Sequence, residues 1–238
     1  MVCVHSFPGH SQSLQWHYDL RHTIDPDHNT RNFQTLFFQY FKTLDSGSYF
    51  IKPGSFLLQM QSDFDGDNHN MGKFYMQVSQ SLRCWKPKIY LSLEYSGGLG
   101  IAEPGSYGFY IANGFSLGAS HLMAWKGGYY NLALSYRYNA FKRPSHDAMF
   151  SFYWWKGFWN YRIEISGDLE AWTQNKNHGD ASTAGRRGKS LAMFGEPQVW
   201  LNGIKKISIG TKVNLYYNVL TPENLFQVYP TLGLRYKL

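Results

Sequence analysis

Residues 14–23, LQWHYDLRHT, alternate strictly. Leu14, Trp16, Tyr18 and Leu20 share one face; Gln15, His17, Asp19, Arg21 and Thr23 share the other. A period of two is that of a β-strand, whose successive side chains point to opposite sides. The pattern recurs along the chain and predicts twelve strands, near 14–23, 33–43, 56–65, 72–82, 88–98, 108–120, 128–139, 146–156, 158–173, 190–202, 204–218 and 226–238. Residues 44–58 fit either an earlier strand start or a long turn. Neither a helix nor a domain linker is legible. One domain is therefore expected over 14–238, after a short segment 1–13.

The connections fall into two classes. Those after even strands are mostly tight: RCWKPK, LMAWKG, KG at 156–157 and NG at 202–203, a favoured hairpin turn. Those after odd strands are mostly longer and polar, among them IDPDHNTRN, GDNHNM, AFKRPSHD and TQNKNHGDASTAGRRGK. Short turns at one end and long loops at the other mark bacterial outer-membrane barrels.

Alternation alone does not say which face points inward. In 159–171, Trp159, Tyr161, Ile163, Ile165 and Leu169 alternate with Asn160, Arg162, Glu164, Ser166, Asp168 and Glu170. A soluble barrel buries the apolar set; a membrane barrel turns it to lipid. Strand lengths above ten residues favour the second, since strands in soluble sheets average five to six residues. Aromatics at expected strand ends (Trp16, Trp85, Trp125, Trp154, Trp159, Tyr217, Tyr229, Tyr236) read as interfacial girdles. The segment TLGLRYKL puts Leu232, Leu234, Tyr236 and Leu238 on one face. Such a strand suits closure against the first, because a free edge in lipid leaves backbone groups unsatisfied. The fold expected is thus all-β, a closed antiparallel transmembrane β-barrel of about twelve strands. A soluble all-β sandwich is the runner-up.

Composition agrees. Charged residues are 16% and aromatics 18% of the 238 residues. No apolar run is long enough for a transmembrane helix, which leaves a β-barrel open. The start MVCVHSFPGHSQ has neither the basic region nor the apolar core of a signal peptide. Cys3 and Cys84 have no metal-ligand spacing, and their pairing is left open. The net charge of +7 is dispersed except at GRRGK, 185–189. That cluster reads as a solvated loop, or as a contact for anionic lipid headgroups or an anionic solute. A nucleic acid polymer ranks below these.

On the residues LQWHYDLRH, LEYSGGLG (93–100) and GEPQVWLNG (195–203), the chain resembles a family of outer-membrane barrels of unknown function from Bacteroides-type bacteria. That family is similar to twelve-stranded nucleoside-specific channels. The resemblance implies a twelve-stranded barrel, a place in the bacterial outer membrane and passage of small solutes. The stretch near 51–59 departs from it as an apparent insertion.

A twelve-stranded wall with strands about 4.8 Å apart and tilted about 40° has a backbone diameter of roughly 24 Å. Inward side chains narrow this to a channel on the order of 10 Å. The candidates for solute contact are Glu94, Glu164, Glu196, Arg137, Arg162, Lys212, Tyr90 and Trp200. Aromatic faces beside carboxylates can stack a base or sugar and bond its hydroxyls. The same groups can instead form salt bridges that plug the lumen. Function is therefore expected to be a passive channel for nucleoside- or sugar-like solutes, with a plugged structural or accessory barrel as the alternative. A lipid-modifying enzyme is a further alternative. Ser145, His146 and Asp147 stand together, but neighbours on a strand point to opposite faces. Asp65, Asp67 and Asn68 imitate a calcium loop without its spacing or closing Glu. Neither a cofactor nor a metal is called for. The partners expected are outer-membrane lipid, lipopolysaccharide, the outer-membrane insertion machinery and a small polar solute.

Overall fold

The alternating segments pair in chain order. In the computed structural model, which describes residues 10–43, 51–83, 85, 88–102 and 107–238, thirteen antiparallel strands form one sheet. They are β1 (His10–Asp19), β2 (Phe33–Thr43), β3 (Lys52–Phe64), β4 (Lys73–Arg83), β5 (Ile89–Ala102), β6 (Tyr107–Trp125), β7 (Gly128–Asn139), β8 (Ser145–Phe158), β9 (Ile163–Asn175), β10 (Lys189–Gly195), β11 (Gln198–Ile204), β12 (Ile207–Tyr217) and β13 (Phe226–Lys237). One short helix, α1 (Arg21–Ile24), follows β1. Cys3 and Cys84 lie outside the described residues.

β10 and β11 are two halves of one stave. Both pair with β9 on one side and β12 on the other. Glu196 and Pro197 interrupt them, as expected where proline removes a ladder donor. The wall therefore has twelve staves. β1 pairs with β13 from Ser13↔Lys237 to Asp19↔Thr231, closing the barrel.

Several strand ends differ from the sequence expectation. β3 begins at Lys52, so 52–59 is strand and not an insertion; a register shift between Pro53 and Phe56 takes up its irregularity. Residues 44–50 lie outside the described set. The chain does not turn at Lys156–Gly157. β8 runs on to Phe158, and the turn is 159–162, with Trp159, Asn160 and Tyr161 at φ 47°, 54° and 62°. Trp159, Tyr161 and Arg162 are therefore turn residues and not part of a stave. Asn202 and Gly203 remain within β11, and the turn is Lys205–Lys206. Asn202 is kept in the wall because its side chain reaches into the barrel, where it bonds Glu164 and accepts from Arg235. At Lys126–Gly127, φ is 46° and 76°. Positive φ at both residues suits the right-handed twist of a two-residue hairpin.

The faces are those of a membrane barrel. Leu134, Leu232 and Ile209 point outward with 68%, 61% and 62% of their surface exposed, while inward His17 and Lys212 have none. Trp125 and Trp159 project at the tight-turn end, and Tyr107 and Tyr110 at the other, as interfacial aromatics do. Tyr229 departs from the expected girdle. It is 1% exposed and points inward, where its hydroxyl bonds Asp25.

Leu134 sits near the middle of β7, opposite Ala119 and Phe150. Leu134→Arg should destabilise the barrel by about 2–4 kcal/mol, the cost of a midplane charge. Trp125→Arg, at the strand end, should cost no more than about 1 kcal/mol. Folding titrations in lipid vesicles measure both, and equal costs would contradict the depth assignment.

Candidate functional site

The period-two pattern delivers a polar stripe to the inside from every stave. Twelve such stripes meet in a lumen too narrow to keep them hydrated separately. Burying a charge without a partner is costly: Asp19, Glu164 and Glu196 pair with cations, while Asp63 and Glu170 are held by neutral donors.

Near the loop end, Arg21 makes two bonds to Asp19, 2.9 and 3.0 Å, and stacks between the rings of Phe33 and Tyr229. Arg137 donates to Asn139 (2.8 Å) and Ser96 (3.0 Å), lies over Trp172, and stands 3.9 Å from Glu94.

At mid-height the contacts cross the barrel. Lys212 Nζ on β12 donates to Glu196 at 2.5 Å and to Gln61 on β3 at 2.7 Å, and lies 4.6 Å over Phe37 on β2. Gln77 on β4 donates to Glu170 on β9 (2.6 Å) and to the Tyr153 hydroxyl on β8 (2.8 Å). That hydroxyl faces both Glu170 (2.6 Å) and Glu94 (3.3 Å). It has one proton, so it serves one carboxylate at a time.

Toward the tight-turn end, Glu164 accepts from Arg235 at 2.6 Å and from Lys237. Arg235 lies 4.7 Å over Trp200, and His17 meets the same indole edge-on at 5.7 Å. Room for the indole comes from a facing pair, Gly210↔Gly233. A Cβ at Gly210 would stand 2.6 Å from Trp200 Cε3, and one at Gly233 would stand 2.8 Å from His17 Nδ1.

Seven of the eight expected residues line this interior. Glu94, Glu164 and Glu196 each meet a cation, but at three different places. Tyr90 is buried beneath the Arg83 guanidinium, two inward positions from Glu94 toward the turn end. Arg162 is the exception: it is exposed in the turn before β9, and the cations at Glu164 are Arg235 and Lys237. The open bore on the order of 10 Å is not found at mid-height. Lys212 and Gln77 are wholly buried there, as are Trp200 and His17 toward the tight-turn end. Gln61 and Gln77 carry much of the crossing contact, and sequence reasoning passed over them. They are uncharged, and only their inward parity marked them.

The Ser145–His146–Asp147 stretch divides as its alternation requires. Ser145 and Asp147 are buried; His146 is outside, bonded to the Tyr136 hydroxyl at 2.5 Å. The calcium-like carboxylates are taken by cations: Asp65 by Lys73, and Asp67 by Arg31 at 2.9 Å.

Above the lumen, the first long loop is tied to the wall. Asp25 accepts from Tyr229 (2.9 Å) and pairs with His28 (2.7 Å). The His28 bond draws the Asp25 carboxyl below its usual 3.8, and Asp25 raises His28 above 6.5. The raised His28 contributes fully below pH 6.5 and loses that contribution as pH rises through its folded value. The lowered Asp25 contributes fully above pH 3.8 and loses it as pH falls. Corrected hydrogen-exchange protection of 22–31 should therefore be greatest between these limits, and His28→Ala should remove the decline on the alkaline side.

The fold has solved counterparts. It is similar to the NanC porin, with a TM-score of 0.54 at 9% identity, covering 96% of this chain and 100% of that one. The KdgM porin gives 0.47 at 8% identity over 95% and 99%. LpxR from Salmonella typhimurium gives 0.44 at 9% over 95% and 99%. At 9% identity the likeness to the NanC porin is one of fold. No curated protein matches in sequence. A family model described as "Domain of unknown function (DUF5020)" matches residues 11–238.

Proposed function

We propose that this chain, which belongs to the DUF5020 family, is a passive channel of the bacterial outer membrane, closed at rest by its own side chains. It passes small polar solutes of nucleoside or sugar size when that packing is displaced, and it is not an enzyme. One observation carries the reading: the closure consists of wall side chains in mutual contact across the lumen, Lys212 to Gln61 and Gln77 to Glu170. Side-chain contacts can part without unfolding a stave. Trp200, Phe37, Tyr216 and Tyr229 supply buried aromatic faces in the lumen that also holds the carboxylates, which suits a ring with hydroxyls. Its partners on this reading include lipopolysaccharide around the wall and the insertion machinery during assembly. The Bacteroides-type origin implied by the sequence resemblance belongs to the same proposal.

A second reading is a permanently plugged structural barrel. The buried Lys212–Glu196 pair favours it, since such a pair rigidifies its surroundings. Planar-bilayer recording separates the two. The channel reading expects brief openings in the wild type and longer ones in Trp200→Ala. A wild type that never opens, beside a conducting Trp200→Ala, would establish the plug. Large steady conductance in the wild type would overturn the closure.

A further inference from the structure

The GRRGK cluster has a place in the fold that the lumen does not explain. The loop between β9 and β10 and the loop between β12 and β13 enclose a recess of about 500 Å³. Such a volume suits a small solute. Lys176, Arg186 and Arg187 line it with His178, Ser182, Ser190 and Thr221, and no carboxylate is among its lining residues. Its floor is Gln174 and Asn218, both buried. Gln174 continues the inward stripe of Trp172 on β9 and holds Asn218, just past the end of β12, so the recess opens over the lumen and not onto the lipid wall.

The recess is built and not a chance fold of a loose loop. Asp180 accepts from Ser182 Oγ (2.7 Å), the Thr183 amide (2.8 Å) and Thr183 Oγ1 (2.9 Å). Thr183 Oγ1 in turn takes the His178 amide at 2.9 Å. His178 stacks on Phe141 with centroids 3.9 Å apart, and its carbonyl accepts from the Arg143 amide. Gln174 Nε2 holds the Asn218 carbonyl at 3.1 Å. The one carboxylate of the β9–β10 loop is thus spent on the loop itself. Burial lowers the His178 pKa, which favours the neutral ring, and the positive charge is carried by the other three. Arg186 uses one nitrogen on the Pro222 carbonyl, at 3.2 Å. Neither Lys176 nor Arg187 makes an ion pair among the described residues.

We infer that this vestibule binds a small hydroxylated solute through an anionic oxygen group, a phosphate or carboxylate. The cations take the charge in bidentate or point contacts, and Ser182, Ser190 and Thr221 face the hydroxyls. The inference deepens the channel reading by naming the charge of its solute and rests on it for the route onward. Binding itself is measurable without conduction. A phosphate of neighbouring lipopolysaccharide has the same chemistry, but it reaches the wall from outside, whereas the recess faces inward.

The test is calorimetric titration of the detergent-solubilised barrel with glucose 6-phosphate, glucose and lipopolysaccharide. Glucose 6-phosphate should bind at low salt and weaken as salt rises. Glucose should not bind measurably. Lys176→Gln with Arg187→Gln should weaken glucose 6-phosphate about tenfold or more, as expected on losing two charge-assisted contacts, while heat-modifiable migration stays normal. Equal binding of glucose, or no effect of the double variant, would overturn the inference. So would binding of lipopolysaccharide that the same double variant abolishes and that glucose 6-phosphate does not displace. If glucose 6-phosphate binds but no variant ever conducts, the site stands and the channel reading falls.

Discussion

Removing Tyr236, Lys237 and Leu238 should abolish assembly of the barrel while leaving synthesis of the chain intact. These three residues hold both seams at one end. Tyr236 is opposite Leu14 on β1 and Ile207 on β12, and Lys237 is opposite Ser13. The Leu238 amide donates to the Gln12 carbonyl at 3.0 Å, and the Lys237 amide to Lys206 at 2.9 Å. Each backbone group left open where the two seams enter lipid costs several kcal/mol. The lost Lys237 ammonium also leaves Glu164 with Arg235 as its remaining cation. Heat-modifiable gel migration checks the result. The truncated chain should run as unfolded protein without heating, whereas Lys237→Ala alone should keep a folded band. A normal folded band from the truncated chain would refute the closure argument.

The wall was readable because its code is simple. Leu14, Trp16 and Tyr18 against Gln15, His17 and Asp19 specify a strand with a lipid face, and no longer-range knowledge is needed. Turns were harder. Asn202–Gly203 has the composition of a hairpin turn, yet Asn202 is drawn into the lumen by Glu164 and Arg235. Local preference lost to a buried charge that wanted a partner. Arg162 was misplaced for a local reason: it stands in the turn before β9, and Glu164 is paired by Arg235 and Lys237. Three successive left-handed residues, Trp159 to Tyr161, take up the turn, and no periodicity announces them. Inward parity identified Glu94, Glu164 and Glu196 but not their partners. Partnering depends on barrel closure: Gln61 and Lys212 are 151 residues apart and bond across the bore. Whether twelve polar stripes leave a bore or fill it depends on side-chain volume and orientation, and alternation says nothing of either.

Lys212 offers the sharpest measure of that filling. Its ammonium is wholly buried, held by Glu196 and Gln61 above the Phe37 ring. Lys212→Met removes the charge and preserves much of the volume, and so strands Glu196 as a buried anion. Breaking a buried pair in this way typically costs about 3–5 kcal/mol. The double change Lys212→Met with Glu196→Gln leaves no charge behind, and should recover most of that loss, ending within about 1 kcal/mol of the wild type. Urea unfolding in lipid vesicles, monitored by tryptophan fluorescence, supplies the double-mutant cycle. The sign of the coupling is what matters. If Lys212→Met alone costs under about 1 kcal/mol, water must reach Glu196 and solvate it, as in an exposed pair. The mid-height of the barrel would then be wet at rest, and the closure proposed above would have to lie elsewhere along the lumen.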